Sequence, residues 1–218
     1  MKNILLTGQS QIRRILAGIM LSALAVATVA MPALAHHPLG GDTPETFWAG
    51  LLSGMGHPVI GLDHLAFVVA AGLLAAVVRR GLGIPIAFVL STLVGTGVHL
   101  AEVSLPAVEL LIATSVVAFG LLAVQRSPLS TVVVMLLAAI AGIFHGYAYG
   151  EAVVGAEPAP LLAYLIGFAG VQGAIALGAY LLSRRALSSD KAAGLVSVHH
   201  AGFVVLGAGV AILGGLLV

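Results

Sequence analysis

The chain has 218 residues, of which 60% are hydrophobic and only 8% charged, and its formal net charge is +1. Soluble domains carry about 25% charged residues, so this composition excludes a water-soluble globular protein and predicts a chain embedded in a bilayer. The chain has no cysteine, which excludes disulfides, thiolate metal sites and cysteine nucleophiles. A net charge this small gives no reason to expect a nucleic-acid partner.

Residues 1–35 are typical of a cleavable signal peptide. Three basic residues among the first 14 precede an apolar run over 15–30, and an Ala-x-Ala motif ends at Ala35. The alternative is an uncleaved first membrane helix. We expect cleavage after Ala35, which leaves residues 36–46 as a periplasmic N-terminal tail.

Six further apolar segments follow, and a segment of roughly 20 apolar residues predicts a transmembrane helix. We place them at about 47–78, 84–103, 107–124, 129–149, 160–183 and 196–218. The first is too long for one plain span, so we expect a short entering segment, a break near His57-Pro58 and then a helix. Residues 47–218 are therefore predicted to form an all-α, polytopic bundle of six transmembrane helices, with no soluble domain between them.

The basic residues predict the orientation of this bundle. After the expected cleavage, they occur only behind the first, third and fifth segments: Arg79, Arg80, Arg126, Arg184, Arg185 and Lys191. By the positive-inside rule those loops are cytoplasmic, which predicts a bacterial inner-membrane protein with both termini in the periplasm. Most acidic residues fall on the outer side, where they would attract cations. The alternative is that basic residues are simply depleted there.

The first segment contains the ionisable residues His57, Asp63 and His64. Such groups are costly in hydrocarbon and rare without a function, and imidazoles with carboxylates are good ligands for divalent transition metals. On a regular helix the two histidines share a face but lie roughly 10–11 Å apart along the axis. A break at Pro58 or Gly61 would let them share one ion; otherwise they would form two successive sites. The structural alternative is interhelical hydrogen bonding.

The outer end of the fourth segment contains a second group of candidates. His145 and Tyr149 are four residues apart and face the same way on a helix, and Glu151 follows near the periplasmic boundary. We expect His145 to be a metal ligand, whereas the tyrosine also suits an interfacial aromatic belt. Glu109, in the first turn of the third segment, is either a ligand or a carboxylate stabilised by the helix dipole.

Weaker metal candidates lie outside these groups. His99 and Glu102 are one turn apart, a spacing that suits either one cation or a plain ion pair. His36 and His37 in the tail are candidates for capturing metal before it enters the bundle. The pair His199 and His200, at the cytoplasmic start of the sixth segment, would receive an ion or lie at the membrane interface.

Three motifs resemble those of the HupE/UreJ family. They are Gly-Met-Gly-His57-Pro-Val-Ile-Gly-Leu-Asp63-His64 for HP-x-x-G-x-DH, Leu-Pro106-Ala-Val-Glu109 for Pro-x-x-Glu, and Phe-His145-Gly-Tyr-Ala-Tyr149-Gly-Glu151 for F-HG-x-A-HG-x-E. The resemblance covers the whole mature chain. It implies a bacterial membrane protein linked to hydrogenase and urease, a nickel or cobalt permease. The transport site it implies consists of His57, Asp63, His64, Glu109, His145 and Glu151.

Two departures from that resemblance concern the choice of metal. Tyr149 stands where the family has its second histidine, and Gln172 lies in the fifth segment where a histidine is expected nearby. These differences bear on which metal the site takes more than on the fold.

These observations predict a permease that takes up Ni²⁺, or else Co²⁺, as substrate for metalloenzyme maturation, with no permanently bound cofactor and no enzymatic activity. The sequence has no G-x-x-x-x-G-K-[ST] motif, so energy would come from the membrane potential, an ion gradient or trapping by a cytoplasmic metallochaperone. The alternatives are an intramembrane metal-dependent hydrolase, although H-E-x-x-H is absent, and a non-transporting metal-binding accessory protein.

Overall fold

The computed structural model describes residues 42–125 and 129–217, and all regular structure within them is helical. The helices are α1 (Phe47–Ile60), α2 (Leu62–Val77), α3 (Gly83–Leu100), α4 (Val108–Val124), α5 (Thr131–Glu151), α6 (Pro158–Ser189) and α7 (Lys191–Leu217). The predicted all-α class is confirmed. The expected signal peptide, and His36 and His37 behind it, lie outside the described residues.

Length and composition allow several of these helices to cross a membrane. Helices α3, α5, α6 and α7 each qualify alone, and α1 with α2 qualifies as a fifth span if the bent pair counts as one. Helix α4 is apolar but has only 17 residues. The helices thus support a membrane protein with four or five clear spans, while the expected count of six is not confirmed by these criteria.

The outward surfaces of the helices are apolar, as lipid contact requires. On α3, Ile86, Leu90 and Val94 recur every four residues and are 57%, 58% and 58% exposed. Residues at this spacing share one helix face. A face this apolar would be costly in water, so the bundle presents it to hydrocarbon.

The break in the first segment lies at Gly61, three residues beyond the expected position. Helix α1 continues through Pro58 to Ile60, because proline removes one backbone donor but keeps a helical φ. At Gly61 the backbone becomes extended (φ −71°, ψ 102°), and the residue caps both α1 and α2. The two helix axes differ by 76°, a geometry typical of a broken span or a re-entrant loop.

Two close helix pairs position the polar core. Gly146 of α5 lies against the backbone of Thr92 in α3, and Gly54 of α1 lies against the carbonyl of Tyr164 in α6. A Cβ atom at either glycine would collide with that backbone, so only glycine permits these contacts. The first pair sets the depth of the neighbouring His145, and the second places α1 beside Tyr164.

Candidate metal centre

Three of the predicted histidines converge inside the bundle. The break at Gly61 brings the ring centroids of His57 and His64 to 5.6 Å, far closer than on one regular helix. The Nδ1 atoms of His64 and His145 are 2.8 Å apart. The three residues are only 3%, 2% and 0% exposed. Helices α1, α2 and α5 therefore contribute one buried imidazole each to a common polar centre.

Hydrogen bonding to Ser115 assigns the tautomer of His145. The Ser115 hydroxyl donates to the carbonyl of Ile112 (2.7 Å), so its single proton is used and it accepts from Nε2 of His145 (3.0 Å). The lone pair of His145 then lies on Nδ1, facing His64. Without an ion, His64 donates its Nδ1 proton across this contact.

The spacing of the two Nδ1 atoms is close to that of neighbouring metal ligands. Metal–nitrogen bonds of about 2.1 Å at right angles place two nitrogens about 3 Å apart, and the observed separation between His64 and His145 is 2.8 Å. Once His64 shifts its proton to Nε2 and the two rings turn so that their lone pairs converge, both nitrogens can bind one ion.

Asp63 supplies negative charge beside this pair. Its Oδ1 accepts a hydrogen bond from the backbone N–H of His64 (2.7 Å) and lies 3.9 Å from Nδ1 of that residue. Asp63 is buried in the first turn of α2, where the helix dipole stabilises a carboxylate. This charge favours a cation next to His64.

Tyr164 orients the third imidazole. Its hydroxyl donates to the backbone carbonyl of Tyr149 (2.9 Å) and therefore accepts from Nδ1 of His57 (2.7 Å). Nε2 of His57 then carries the lone pair, as in metal sites where the other ring nitrogen is held by a second hydrogen bond. The ring of Tyr149 packs against both His57 (4.8 Å) and His64 (4.4 Å).

Of the remaining predicted ligands in the described residues, three are exposed and one is half-buried. Glu109 is exposed in the first turn of α4, Glu151 is exposed at the last residue of α5, and Glu102 is exposed behind α3. His99 is half-buried, with its ring 4.4 Å from that of Tyr147. A role for these four residues stays a prediction.

Within the described parts of the chain, no group of three or more His, Asp or Glu side chains is arranged to hold a metal ion. The geometry therefore supports two protein nitrogens, from His64 and His145, as direct ligands. An ion bound there would take its other ligands from water.

Ser115 and Tyr164 were not predicted as site residues, although each forms a hydrogen bond to a predicted histidine. The only available signal was a hydroxyl in an apolar segment. Serine, threonine and tyrosine are common in membrane helices, so that signal does not distinguish a site residue from a packing residue.

Three phenylalanines close one side of the centre, and we call Phe67, Phe88 and Phe119 the phenylalanine plug. The ring of Phe67 lies 4.4 Å from that of Phe88 and 4.3 Å from that of Phe119. Phe67 and Phe88 also contact His145, at 4.8 Å and 5.3 Å between ring centroids. All three rings are almost fully buried in the apolar core.

The plug lies on the arginine-bearing side of the histidines. Along α2, Phe67 follows His64 in the direction of Arg79, and Phe88 is near the start of α3, just after that loop. Phe119 is in the second half of α4. An ion at the histidines is therefore separated from that end of the bundle by packed aromatic rings.

Replacing Gly61 with alanine is expected to displace the ring of His64 and destabilise the fold. An added Cβ would lie 2.5 Å from Cδ2 of His64, and overpacking of this kind costs about 1–3 kcal/mol. Thermal unfolding of the purified protein measures the loss. Gly97→Ala is the matched control, because nothing lies within 4 Å of its Cβ position, and alanine should be neutral or stabilising there. Equal stability of both variants would contradict this account of Gly61.

Replacing Tyr164 with phenylalanine is expected to lower the free energy of unfolding by about 1–3 kcal/mol, since it leaves two buried polar groups without their partner. Denaturant or thermal unfolding measures the change. Tyr180→Phe is the control, because that half-buried tyrosine lies on the same helix. If both substitutions have the same small effect, the Tyr164 hydroxyl does not hold His57 in place.

Comparisons with known proteins identify a matching family and one similar protein. The family model described as HupE / UreJ protein matches residues 24–212. Protein HupE of Rhizobium leguminosarum bv. viciae is 32% identical over 127 residues, which is 57% of this chain and 64% of that protein. The match thus spans less than two thirds of that relative's length. No solved structure matches the chain.

Proposed function

The chain belongs to the HupE/UreJ family, whose model matches residues 24–212, and from that membership we propose that it is a permease that takes up a divalent transition-metal ion. We propose nickel as the ion, with cobalt as the alternative, delivered for metalloenzyme maturation. The observation that carries the proposal is the buried pair His64 and His145, whose Nδ1 atoms are 2.8 Å apart.

The chemistry of the centre favours this class of ion. Imidazole nitrogens suit nickel, zinc, copper and iron, whereas alkali and alkaline-earth ions prefer oxygen ligands. The chain has no cysteine, which argues against a soft Cu(I) site. Asp63 adds the negative charge that a dication needs in a medium of low dielectric constant.

We propose a membrane arrangement in which α1 and α2 form one broken span and α4 is the shortest span. Seventeen residues of helix extend about 25 Å, which is at the lower end of the lengths found for transmembrane helices. Together with the four longer helices this makes six spans behind a signal peptide. The arginines then lie in the cytoplasm and both termini in the periplasm of a bacterial inner membrane.

In this arrangement the ion enters from the periplasmic side. Exposed carboxylates such as Glu109 and Glu151, together with the tail histidines, would concentrate cations there. The ion would then lose part of its water at His57, Asp63, His64 and His145. The phenylalanine plug would have to separate before the ion could reach the cytoplasm.

The membrane potential can drive this step. An inward-negative potential favours entry of a dication by about 4–5 kcal/mol per 100 mV. A cytoplasmic metallochaperone would keep the free concentration low and prevent return. Facilitated entry therefore requires no nucleotide hydrolysis.

Uptake of radioactive nickel tests the proposal. Cells that express the chain should accumulate more nickel than cells with an empty vector, and excess unlabelled cobalt should compete. Proteoliposomes containing only the purified protein should show the same uptake, which distinguishes a permease from an accessory protein or a hydrolase. The proposed transport would be refuted if neither radioactive nickel nor radioactive cobalt accumulated above the level of the control in cells or in proteoliposomes, with the protein present at confirmed abundance.

A further inference from the structure

Two fully buried side chains beside the metal centre have a polar atom without a hydrogen-bond partner. They are Tyr149, through its hydroxyl, and Gln172, through Oε1, and both residues are 0% exposed. A third such atom in the described residues is Nδ1 of His99, whose side chain is only half-buried. Buried polar groups of native proteins are almost always paired, because an unpaired one loses its hydration without compensation. Two such atoms in one region call for a ligand.

Tyr149 lies directly against the histidines. It follows His145 by four residues on α5, so both side chains project from the same helix face. Its ring packs on the imidazoles of His57 and His64. The hydroxyl is therefore carried on a ring that contacts two of the predicted ligands.

Gln172 is connected to the same region through two neighbours. Phe168, one turn earlier on α6, stacks on the ring of Tyr149 with 5.0 Å between centroids. Nε2 of Gln172 makes a long hydrogen bond of 3.4 Å to the Thr92 hydroxyl, and the backbone of Thr92 packs against Gly146, next to His145. The amide thus borders the contact between α3 and α5 beside the centre.

The coordination chemistry identifies what these atoms can bind. The structure supports two protein nitrogens, from His64 and His145, whereas even an open four-coordinate zinc site uses three protein ligands and a water. An ion held by two imidazoles keeps several water molecules. Metal-bound water is a strong hydrogen-bond donor, and both a phenol oxygen and an amide oxygen accept hydrogen bonds.

We infer that the Tyr149 hydroxyl and the Gln172 amide oxygen bind the water molecules that remain on the ion while His64 and His145 hold it. The inference rests on the proposed function and extends it, since the cargo is then a partly hydrated dication. Neither residue needs to touch the metal. Both are positioning residues that act through its water shell.

The structure also offers polar groups that are already paired. The hydroxyl of Thr96 shares its one proton between the carbonyls of Thr92 (3.0 Å) and Gly146 (2.8 Å), and the residue is buried as well. Thr96→Val removes a paired hydroxyl of the same region, whereas Tyr149→Phe removes an unpaired one. Gln172→Leu removes the unpaired Oε1 together with Nε2 and its long hydrogen bond of 3.4 Å to Thr92. Since Thr96→Val breaks hydrogen bonds that the structure shows and Tyr149→Phe breaks none, the two substitutions should have opposite effects on metal-free stability and on nickel affinity.

The test is thermal unfolding of the purified full-length protein with and without NiCl₂, with the nickel affinity taken from a titration. Without nickel, Tyr149→Phe should unfold at the wild-type temperature or above it, and Gln172→Leu, which loses only the long hydrogen bond to Thr92, should unfold close to the wild-type temperature. With nickel, each should bind about tenfold more weakly, which corresponds to about 1.4 kcal/mol. Thr96→Val should unfold at a lower temperature without nickel and keep the wild-type affinity.

The outcomes separate this inference from the proposed function. Wild-type affinity in both Tyr149→Phe and Gln172→Leu would overturn the inference alone, and so would a loss of metal-free stability in Tyr149→Phe like that of Thr96→Val. A wild-type protein that binds neither nickel nor cobalt would overturn the proposed metal centre and the inference together.

Discussion

Replacing His64 with alanine is expected to reduce nickel accumulation to the level of cells with an empty vector. His64 provides one of the two nitrogens that approach each other at 2.8 Å, and its backbone N–H is held by Asp63. With only two protein ligands at this spacing, loss of one leaves a single imidazole, which cannot compete with bulk water for the ion. Uptake of radioactive nickel measures the effect.

His145→Ala should have the same effect, since it removes the other nitrogen of the pair. The matched control is His200→Ala, because that histidine is exposed on α7, and its uptake should stay at the wild-type level. Membrane abundance must be equal for all variants. Wild-type uptake by His64→Ala would remove the assigned centre.

Replacing Phe88 with alanine is expected to open the phenylalanine plug from the arginine-bearing side. The substitution removes the ring that stacks on Phe67 and contacts His145. Since the chain has no native cysteine, a single Ser115→Cys reporter beside His145 has no background. In inverted vesicles a charged, membrane-impermeant thiol reagent should label this reporter at least tenfold faster when Phe88 is alanine.

Two further variants make the result specific to the plug. Phe88→Leu keeps much of the volume and should give an intermediate rate, which also guards against loss of folding, because truncating a buried phenylalanine costs about 3–5 kcal/mol. Phe47→Ala is the control at an exposed ring on α1 and should leave labelling slow. If all variants label at the same rate, these rings do not close the path. This readout does not depend on nickel transport.

Local properties of the chain predicted most of the helical architecture. The third apolar segment was expected at 107–124 and forms a helix over Val108–Val124. The fourth was expected at 129–149 and is found at Thr131–Glu151. A helix forms its backbone hydrogen bonds within its own segment, and a helix in contact with lipid requires a continuous run of apolar residues. Both signals are therefore contained in neighbouring residues.

The candidate site was predictable in its components but not in its arrangement. An ionisable residue in an apolar segment is costly wherever it lies, so His57, Asp63, His64 and His145 were recognisable as site candidates. The distances between these residues could not be predicted. The approach of His57 to His64 depends on one extended residue at Gly61, and the sequence was equally compatible with a break at Pro58.

Composition, apolar run length and the placement of costly polar residues determined the class of protein and the kind of ligands, because each is a property of a residue and its near neighbours. Tertiary structure alone decided which of those residues meet. His64 and His145 are 81 positions apart, and Tyr164 and His57 are 107 apart. Such pairs form only when glycines such as Gly54 and Gly146 let whole helices dock at close range, and no local periodicity records that docking.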